Sequence, residues 1–209
     1  YLAGLNVNVP QVYGHDAAAG MILLEDLGDR SLESVLSVAD DGIFLFYYKK
    51  VLDHLIVLQV RTFAHPLRDC VAYFRSFDAD LLNWEFDHFL EFGIEDRQQV
   101  KLDRVERTAF VEHTRAITRQ IVAMPQGFVH RDFQSRNIML HGYDFYLIDF
   151  QDALVGPVLY DLVGLLRDSY IEFTPDQLQA LLEYYHQKLP ERHPYHGKLG
   201  EMKNDFHLI

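Results

Sequence analysis

The residues with the means to do chemistry lie between His130 and Asp149, in the run V-H-R-D-F-Q-S-R-N-I-M-L-H-G-Y-D-F-Y-L-I-D-F that spans 129–150. Asp132 is a carboxylate able to take the proton of an attacking hydroxyl. Asn137 follows it by five residues and Asp149 follows Asn137 by twelve. An amide oxygen and a second carboxylate are hard donors of the kind Mg²⁺ accepts beside phosphate oxygens. The pattern H-x-D-x-x-x-x-N, followed by a strand that ends in D-F, therefore suits phosphoryl transfer.

Those three side chains need elements that bring them together. Ile138–Leu140 and Phe145–Phe150 are strand-like runs around His141-Gly142-Tyr143-Asp144, which has the chemistry of a hairpin turn. A hairpin folds its second end beside its first, so Asp149 returns to Asn137. Arg131–Asn137 is polar and aperiodic, and so is read as a loop. Arg131 and Arg136 are expected to bring positive charge to it.

The rest of the chain supplies support. Val9–His15 and Met21–Glu25 read as two strands around a turn at 16–20, followed by a polar connector, Glu25-Asp26-Leu27-Gly28-Asp29. Ser31 is a helix N-cap for residues to Leu36. Ile43–Phe63 has apolar residues at intervals of three and four, with Asp40 or Asp41 capping and His65-Pro66 ending it. A core-edge place is expected for His54 on that helix. Phe77–Phe92 and Arg97–Met124 read as two more helices, the second carrying Leu102, Val105, Ala109, Ile117 and Ile121 as its stripe. Trp84 is expected in the core, and the acidic residues from Asp78 to Asp96, Glu85 among them, on a solvated face. Gly156-Pro157 reads as a turn and Tyr160–Tyr170 as a helix. Thr174-Pro175-Asp176-Gln177 is a capping box that starts a helix to about Lys188. Beyond Pro190 the pattern is polar and irregular.

Composition narrows the function classes. A net charge of −12 over 209 residues lacks the basic footprint of a nucleic-acid binder. No apolar run reaches the length of a membrane span and no signal-peptide pattern is present, so neither a membrane nor a nucleic-acid partner is expected. The single cysteine, Cys70, cannot close an internal disulfide, which suits a cytoplasmic setting. Eleven histidines form no H-E-x-x-H zinc pattern, and no G-x-S-x-G nucleophile elbow occurs.

Three runs carry a family resemblance: H-R-D-F-Q-S-R-N-I-M, I-D-F-Q-D-A and G-P-V-L-Y-D-L-V-G-L-L-R-D-S-Y. Together they resemble the aminoglycoside phosphotransferase superfamily, most closely the branch of sugar kinases that phosphorylate N-acetylmuramate and N-acetylglucosamine. The resemblance is clear over 129–170 and weaker over 21–92. It implies an α+β, protein-kinase-like fold. Residues 1–28 would be a remnant of a β-rich N-terminal nucleotide-binding lobe with its hinge. Residues 29–209 would form a mostly helical C-terminal lobe with the catalytic hairpin. It further implies ATP and Mg²⁺ as cofactors and a small-molecule amino-sugar acceptor. Asp132 would be the base, and Asn137 and Asp149 the metal ligands. Glu25, Asp26 and Leu27 would lie along the adenine, while His130 and Asp161 would brace the catalytic loop. Asp161, near a helix start in apolar surroundings, is expected to find backbone donors on the 131–132 loop. An aminoglycoside or choline-type acceptor, or a non-catalytic kinase-like binding module, are the alternatives. No glycine-rich loop and lysine-bearing strand precede the hinge, so the sequence is expected to be a fragment of a longer kinase.

Overall fold

The longest helix sets the frame, and a computed structural model describes it within residues 1–37, 39–65 and 69–209. Helix α2, Asp41–Ala64, starts where the Asp40 carboxylate accepts the Ile43 N–H at 2.8 Å. Tyr48, Val51, Leu52, Leu55, Ile56, Leu58, Gln59 and Thr62 are its buried residues, the helical spacing expected of them. Pro66, expected to help end this helix, lies outside the described residues. Before α2 come strands β1 (Val12–Asp16) and β2 (Met21–Leu24), an antiparallel pair, and the short helix α1 (Leu32–Leu36), capped by Ser31. The β1–β2 ribbon is apolar yet open. Tyr13, Met21, Ile22 and Leu23 are all more than half exposed.

After α2 the chain makes α3 (Ala79–His88), runs on as a π-helical stretch over Phe89–Asp96, and enters α4 (Arg104–Val122). Strand β3 (Gln126–Val129) leads to the loop of residues 130–137. That loop ends in a short 3₁₀ turn, Ser135–Asn137, and then the hairpin of β4 (Ile138–His141) and β5 (Asp144–Leu147). Strand β6 (Leu154–Pro157), helix α5 (Tyr160–Leu166), helix α6 (Pro175–Lys188) and helix α7 (Leu199–Leu208) complete the order. Each strand pair is a separate antiparallel ribbon: β1–β2, β3–β6 and β4–β5.

Two apolar clusters hold these elements. The larger joins Leu2 and Val7 to α1, α2, the β4–β5 hairpin, α5, α6 and α7. The smaller gathers Phe77, Leu82, Ile121, Met124, Val129 and Leu154 beneath α3 and α4. One buried amide pins the larger cluster together. Gln59 donates to the Val158 carbonyl at 2.7 Å and accepts from the Tyr185 hydroxyl at 2.7 Å, so all three polar groups are satisfied away from water.

Several expectations change. Gly156-Pro157 is the end of β6, not a turn, because Gly127↔Gly156 and Gln126↔Pro157 are cross-strand partners. A proline is tolerated there at the rim of a two-stranded ribbon. Helix α4 begins at Arg104 rather than Arg97, since the Asp103–Glu106 capping box starts it there. Its buried face is Thr114, Thr118 and Ile121, while Val105 is 76% exposed. Ile121 and Ile117 of the expected stripe do pack in the smaller cluster, and beside them the Thr118 hydroxyl donates to Asn83 on α3. Trp84 is 52% exposed and stacks on His88 at 4.1 Å, outside the core. The chain after Pro190 is not irregular throughout: α7 buries Met202 and Phe206, and Tyr195 is buried just before it. Helix α5 stops at Leu166, four residues short, and just beyond it the Asp168 carboxylate accepts the Tyr170 N–H.

Candidate active site

Strand β3 is half of a ribbon whose other half is β6, so it delivers His130 at a fixed point behind α5. At that point the backbone has no strand partner, and the Asp161 carboxylate provides one. The His130 N–H donates to Asp161 Oδ2 at 2.8 Å and the Arg131 N–H donates to Asp161 Oδ1 at 3.0 Å. Asp161 sits in the first turn of α5 and is fully buried. Burial pushes its carboxyl up to about 7, against the pull of the two N–H donors. The expected donors are found, at residues 130 and 131. They hold Arg131 at φ +79°, a left-handed conformation that costs a side-chain-bearing residue energy.

Beyond this clamp the loop folds on the Asp132 carbonyl. The Gln134 N–H and the Asn137 side-chain amide both donate to it, each at 2.9 Å. Asn137 Nδ2 is thereby committed to the loop, which leaves its Oδ1 turned the other way. The Ile148 N–H donates to the Asn137 carbonyl at 3.0 Å, so the hairpin closes beside the loop as expected. Gly142, at φ +63°, takes the first central place in the hairpin's two-residue turn. The strand ends at Leu147, and Asp149 follows two residues later at φ +66°. Asp149 is exposed and accepts from the Gln151 side chain.

Asp132 is half-buried. Desolvation raises its carboxyl pKa above the usual value, and the negative charge of Asp149 raises it further, with Arg131 pulling the other way. His130 is completely buried, and burial lowers its imidazolium pKa to about 4. The Ile148 carbonyl and the Asp149 charge raise it only partly, and neither ring nitrogen has a partner in hydrogen-bond geometry. The neutral imidazole is packed edge-on against Phe133, behind the loop.

Asp132, Asn137, Asp149, His130 and Asp161 thus come together. Glu25, Asp26 and Leu27 lie apart, on the connector after β2. Glu25 Oε2 accepts from the Gln11 N–H at 3.0 Å, and Asp26 Oδ1 accepts from the Gly28 N–H at 2.8 Å. The Leu27 carbonyl meets His141 Nδ1 at 3.2 Å, which ties the connector to the hairpin's turn end. A cavity of about 680 Å³ opens between the N-terminal segment and the loop after Asp149, with Val9, Pro10, Val12, Phe150, Gln151 and Ala153 in its walls. It is mostly apolar, and the connector residues 25–27 do not line it.

The arginines behave differently from expectation. Arg131 donates to Glu85 on α3 at 2.9 Å. The Arg136 guanidinium forks onto Glu33 of α1 at 2.9 and 3.4 Å and lies 3.5 Å above the Tyr170 ring. Both charges are spent on orienting the loop, and neither is a bare positive centre. Glu85, grouped with the solvated acids in the sequence, is instead the Arg131 partner. Asp168 was missed altogether. It is buried, and its carboxylate accepts from the Ser135 N–H at 2.7 Å and the Tyr170 N–H at 3.0 Å. Its only signal in the sequence is an acid directly after the apolar face of a helix.

The donor chemistry fits a divalent cation: a free amide oxygen at Asn137 and a carboxylate at Asp149, with a second carboxylate, Asp132, on the same loop as Asn137. Among the described residues no cluster of three His, Cys, Asp or Glu side chains forms a self-sufficient metal site. Such a pair needs further oxygens from water or phosphate, which is the usual habit of Mg²⁺.

A buried, doubly bonded aspartate behind a catalytic-type loop, with an Asn and an Asp at the ends of a hairpin, belongs to the protein-kinase-like α+β fold. The fold is shared with a solved aminoglycoside-3'-phosphotransferase of type VIII, which matches at a TM-score of 0.59 and 17% identity, covering 98% of this chain and 76% of that one. The model of the phosphotransferase enzyme family matches residues 1–196, and the chain belongs to that family. It is 30% identical over 188 residues to an N-acetylmuramate/N-acetylglucosamine kinase of Pseudomonas aeruginosa, covering 90% of this chain and 52% of that protein. It is 31% identical over 183 residues to the protein of that name from Neisseria meningitidis serogroup B, covering 87% and 53%. The chain therefore spans about half the length of the curated relatives it matches. Among the described residues no helix is long and apolar enough to cross a membrane.

Proposed function

We propose that the chain carries the catalytic half of a small-molecule kinase that moves the γ-phosphoryl group of ATP to a hydroxyl of an amino sugar, of the N-acetylmuramate/N-acetylglucosamine type. One observation carries the reading: Asp132, Asn137 and Asp149 are gathered on one loop and one hairpin, the Asn137 amide bonding the Asp132 carbonyl and the Ile148 N–H closing on the Asn137 carbonyl. Asp132 is the base that accepts the proton of the acceptor hydroxyl. The upward direction of its shift makes it a better proton acceptor than an ordinary carboxylate. Asn137 Oδ1 and Asp149 would hold Mg²⁺, which when bound neutralises charge on the phosphate oxygens. Asp161 and His130 keep the loop in place and touch neither nucleotide nor acceptor. Residues 1–28 serve as part of the nucleotide-binding lobe, with the Glu25–Leu27 backbone along the adenine, and residues 29–209 as the catalytic lobe. The acceptor class rests on the curated relatives, whose names specify those sugars. The setting that suits this chemistry is the cytoplasm, where ATP is plentiful.

The test is Asp132→Asn in the full-length protein, assayed by coupled ADP release with N-acetylmuramate, N-acetylglucosamine, an aminoglycoside and choline as acceptors. The wild type turns over one of the two N-acetyl sugars best. The variant loses roughly 10²- to 10⁴-fold in turnover, the usual worth of a positioned base, and still binds nucleotide. Unchanged turnover would overturn the role of Asp132. A wild type that prefers the aminoglycoside or choline would overturn the acceptor class alone.

A further inference from the structure

We infer that Asp168 is a positioning residue for the metal-binding end of the loop, doing for Asn137 what Asp161 does for the loop's entrance. The inference rests on the reading of Asn137 as a metal ligand. Asp168 lies just after α5, in a cluster that the proposed chemistry does not otherwise use. It is 6% exposed, and both carboxylate oxygens are engaged. Oδ2 accepts the buried Ser135 N–H at 2.7 Å, at the first residue of the 3₁₀ turn that ends in Asn137. Oδ1 accepts the Tyr170 N–H at 3.0 Å.

Tyr170 is not a passive second partner. Its ring lies under the Arg136 guanidinium at 3.5 Å, and Arg136 is the residue directly before Asn137. Arg136 in turn forks onto Glu33 of α1. One carboxylate therefore fixes the turn twice: through the Ser135 backbone, and through the residue whose ring the Arg136 side chain rests on. A three-residue 3₁₀ turn has poor internal hydrogen bonding and does not hold its own shape firmly. Within it, the Asn137 N–H reaches the Gln134 carbonyl at 2.9 Å, and the side-chain amide reaches the Asp132 carbonyl. Both of those partners lie in the same loop. Outside the loop the turn is held by Glu33 on Arg136, by the Ile148 N–H on the Asn137 carbonyl, and by Asp168, which alone of the three grips the backbone N–H of the turn's first residue, Ser135. Removal of Asp168 frees the turn to rotate and carries Asn137 Oδ1 off its line.

Outer partners that orient metal ligands are worth roughly 10- to 100-fold in metal affinity. The experiment follows free Mn²⁺ by electron paramagnetic resonance in the presence of ADP, on the full-length wild type, Asp168→Ala, Asp168→Asn and Asn137→Ala. In parallel, metal-free ADP binding is measured by calorimetry and melting temperature by scanning fluorimetry. Asp168→Ala is expected to weaken Mn²⁺ binding within that range while metal-free ADP affinity stays at the wild-type value. Asp168→Asn keeps one acceptor and is expected to fall between the two. In turnover, the apparent KM for Mg²⁺ rises and kcat largely recovers at saturating metal. Metal affinity lost in Asn137→Ala but kept in folded Asp168→Asn and Asp168→Ala would overturn the inference alone. Metal affinity unchanged in Asn137→Ala would overturn the ligand reading and the inference with it. Should Asp168→Ala fail to fold, the Asn variant decides by the same criteria. A loss of metal and ADP binding in proportion to the fall in melting temperature would make Asp168 merely structural.

Discussion

Replacing Asp161 by Asn tests how the catalytic loop is held, through the pH dependence of stability. The carboxyl titrates near 7 in the folded chain and near 3.8 in the unfolded one. Because the folded-state pKa is raised, the folded chain binds more protons than the unfolded chain between those values. Stability from this group therefore falls as pH rises through the window and levels off above 7. At pH 5 the ionisation penalty is about 2 kcal/mol and at pH 8 about 4 kcal/mol, at roughly 1.4 kcal/mol per pKa unit. The difference, on the order of 2–3 kcal/mol, is the slope that Asp161 imposes. Asn is nearly isosteric and cannot ionise. Its oxygen keeps one of the two backbone donors, while its NH₂ faces the other, at a cost of about 1–3 kcal/mol for a buried N–H left without an acceptor. The variant is therefore less stable than wild type at pH 5, and its deficit shrinks or reverses by pH 8. Urea unfolding of both proteins at pH 5, 6, 7 and 8, at constant ionic strength, reads this directly. Parallel stability curves, with a gap that changes by less than about 0.5 kcal/mol, would refute it. They would mean that the two N–H donors keep Asp161 ionised throughout the range.

Other substitutions test particular contacts. Trp84→Ala should cost under about 1 kcal/mol in urea unfolding, as for a surface site, where a core tryptophan would cost about 3–5 kcal/mol. Gly127→Ala should destabilise by about 1–3 kcal/mol, because a Cβ there would stand 2.8 Å from Val158 Cγ1 across the β3–β6 ribbon. An unchanged urea midpoint would show that the ribbon can open to admit it.

The chemistry-bearing loop and its hairpin were legible because their signals are local. A turn glycine between two β-rich runs sets the hairpin, and the period of two brings Asp149 back beside Asn137. The helices capped by Asp40, Ser31 and Thr174 were legible for the same reason, since a cap is a side chain bonding a backbone N–H three residues away. Asp161 was readable as a buried charge in need of donors. The true partners of Arg131 and Arg136 were not, because Glu85 and Glu33 are 46 and 103 residues away in the chain.

The residues able to do the chemistry, and the turn that brings them together, follow from short-range pattern and backbone stereochemistry. Only the tertiary structure decided that Gly156-Pro157 is a strand, that α7 exists, and that Trp84 faces water. The first two depend on partners distant in sequence: β3 for the strand, and the core under α5 and α6 for α7. The same holds for the second brace. An aspartate after an apolar helix looks like any helix end until the fold lays the Ser135 N–H against it, 33 residues back along the chain. A buried carboxylate is tolerated at that point only because backbone donors from elsewhere are waiting for it.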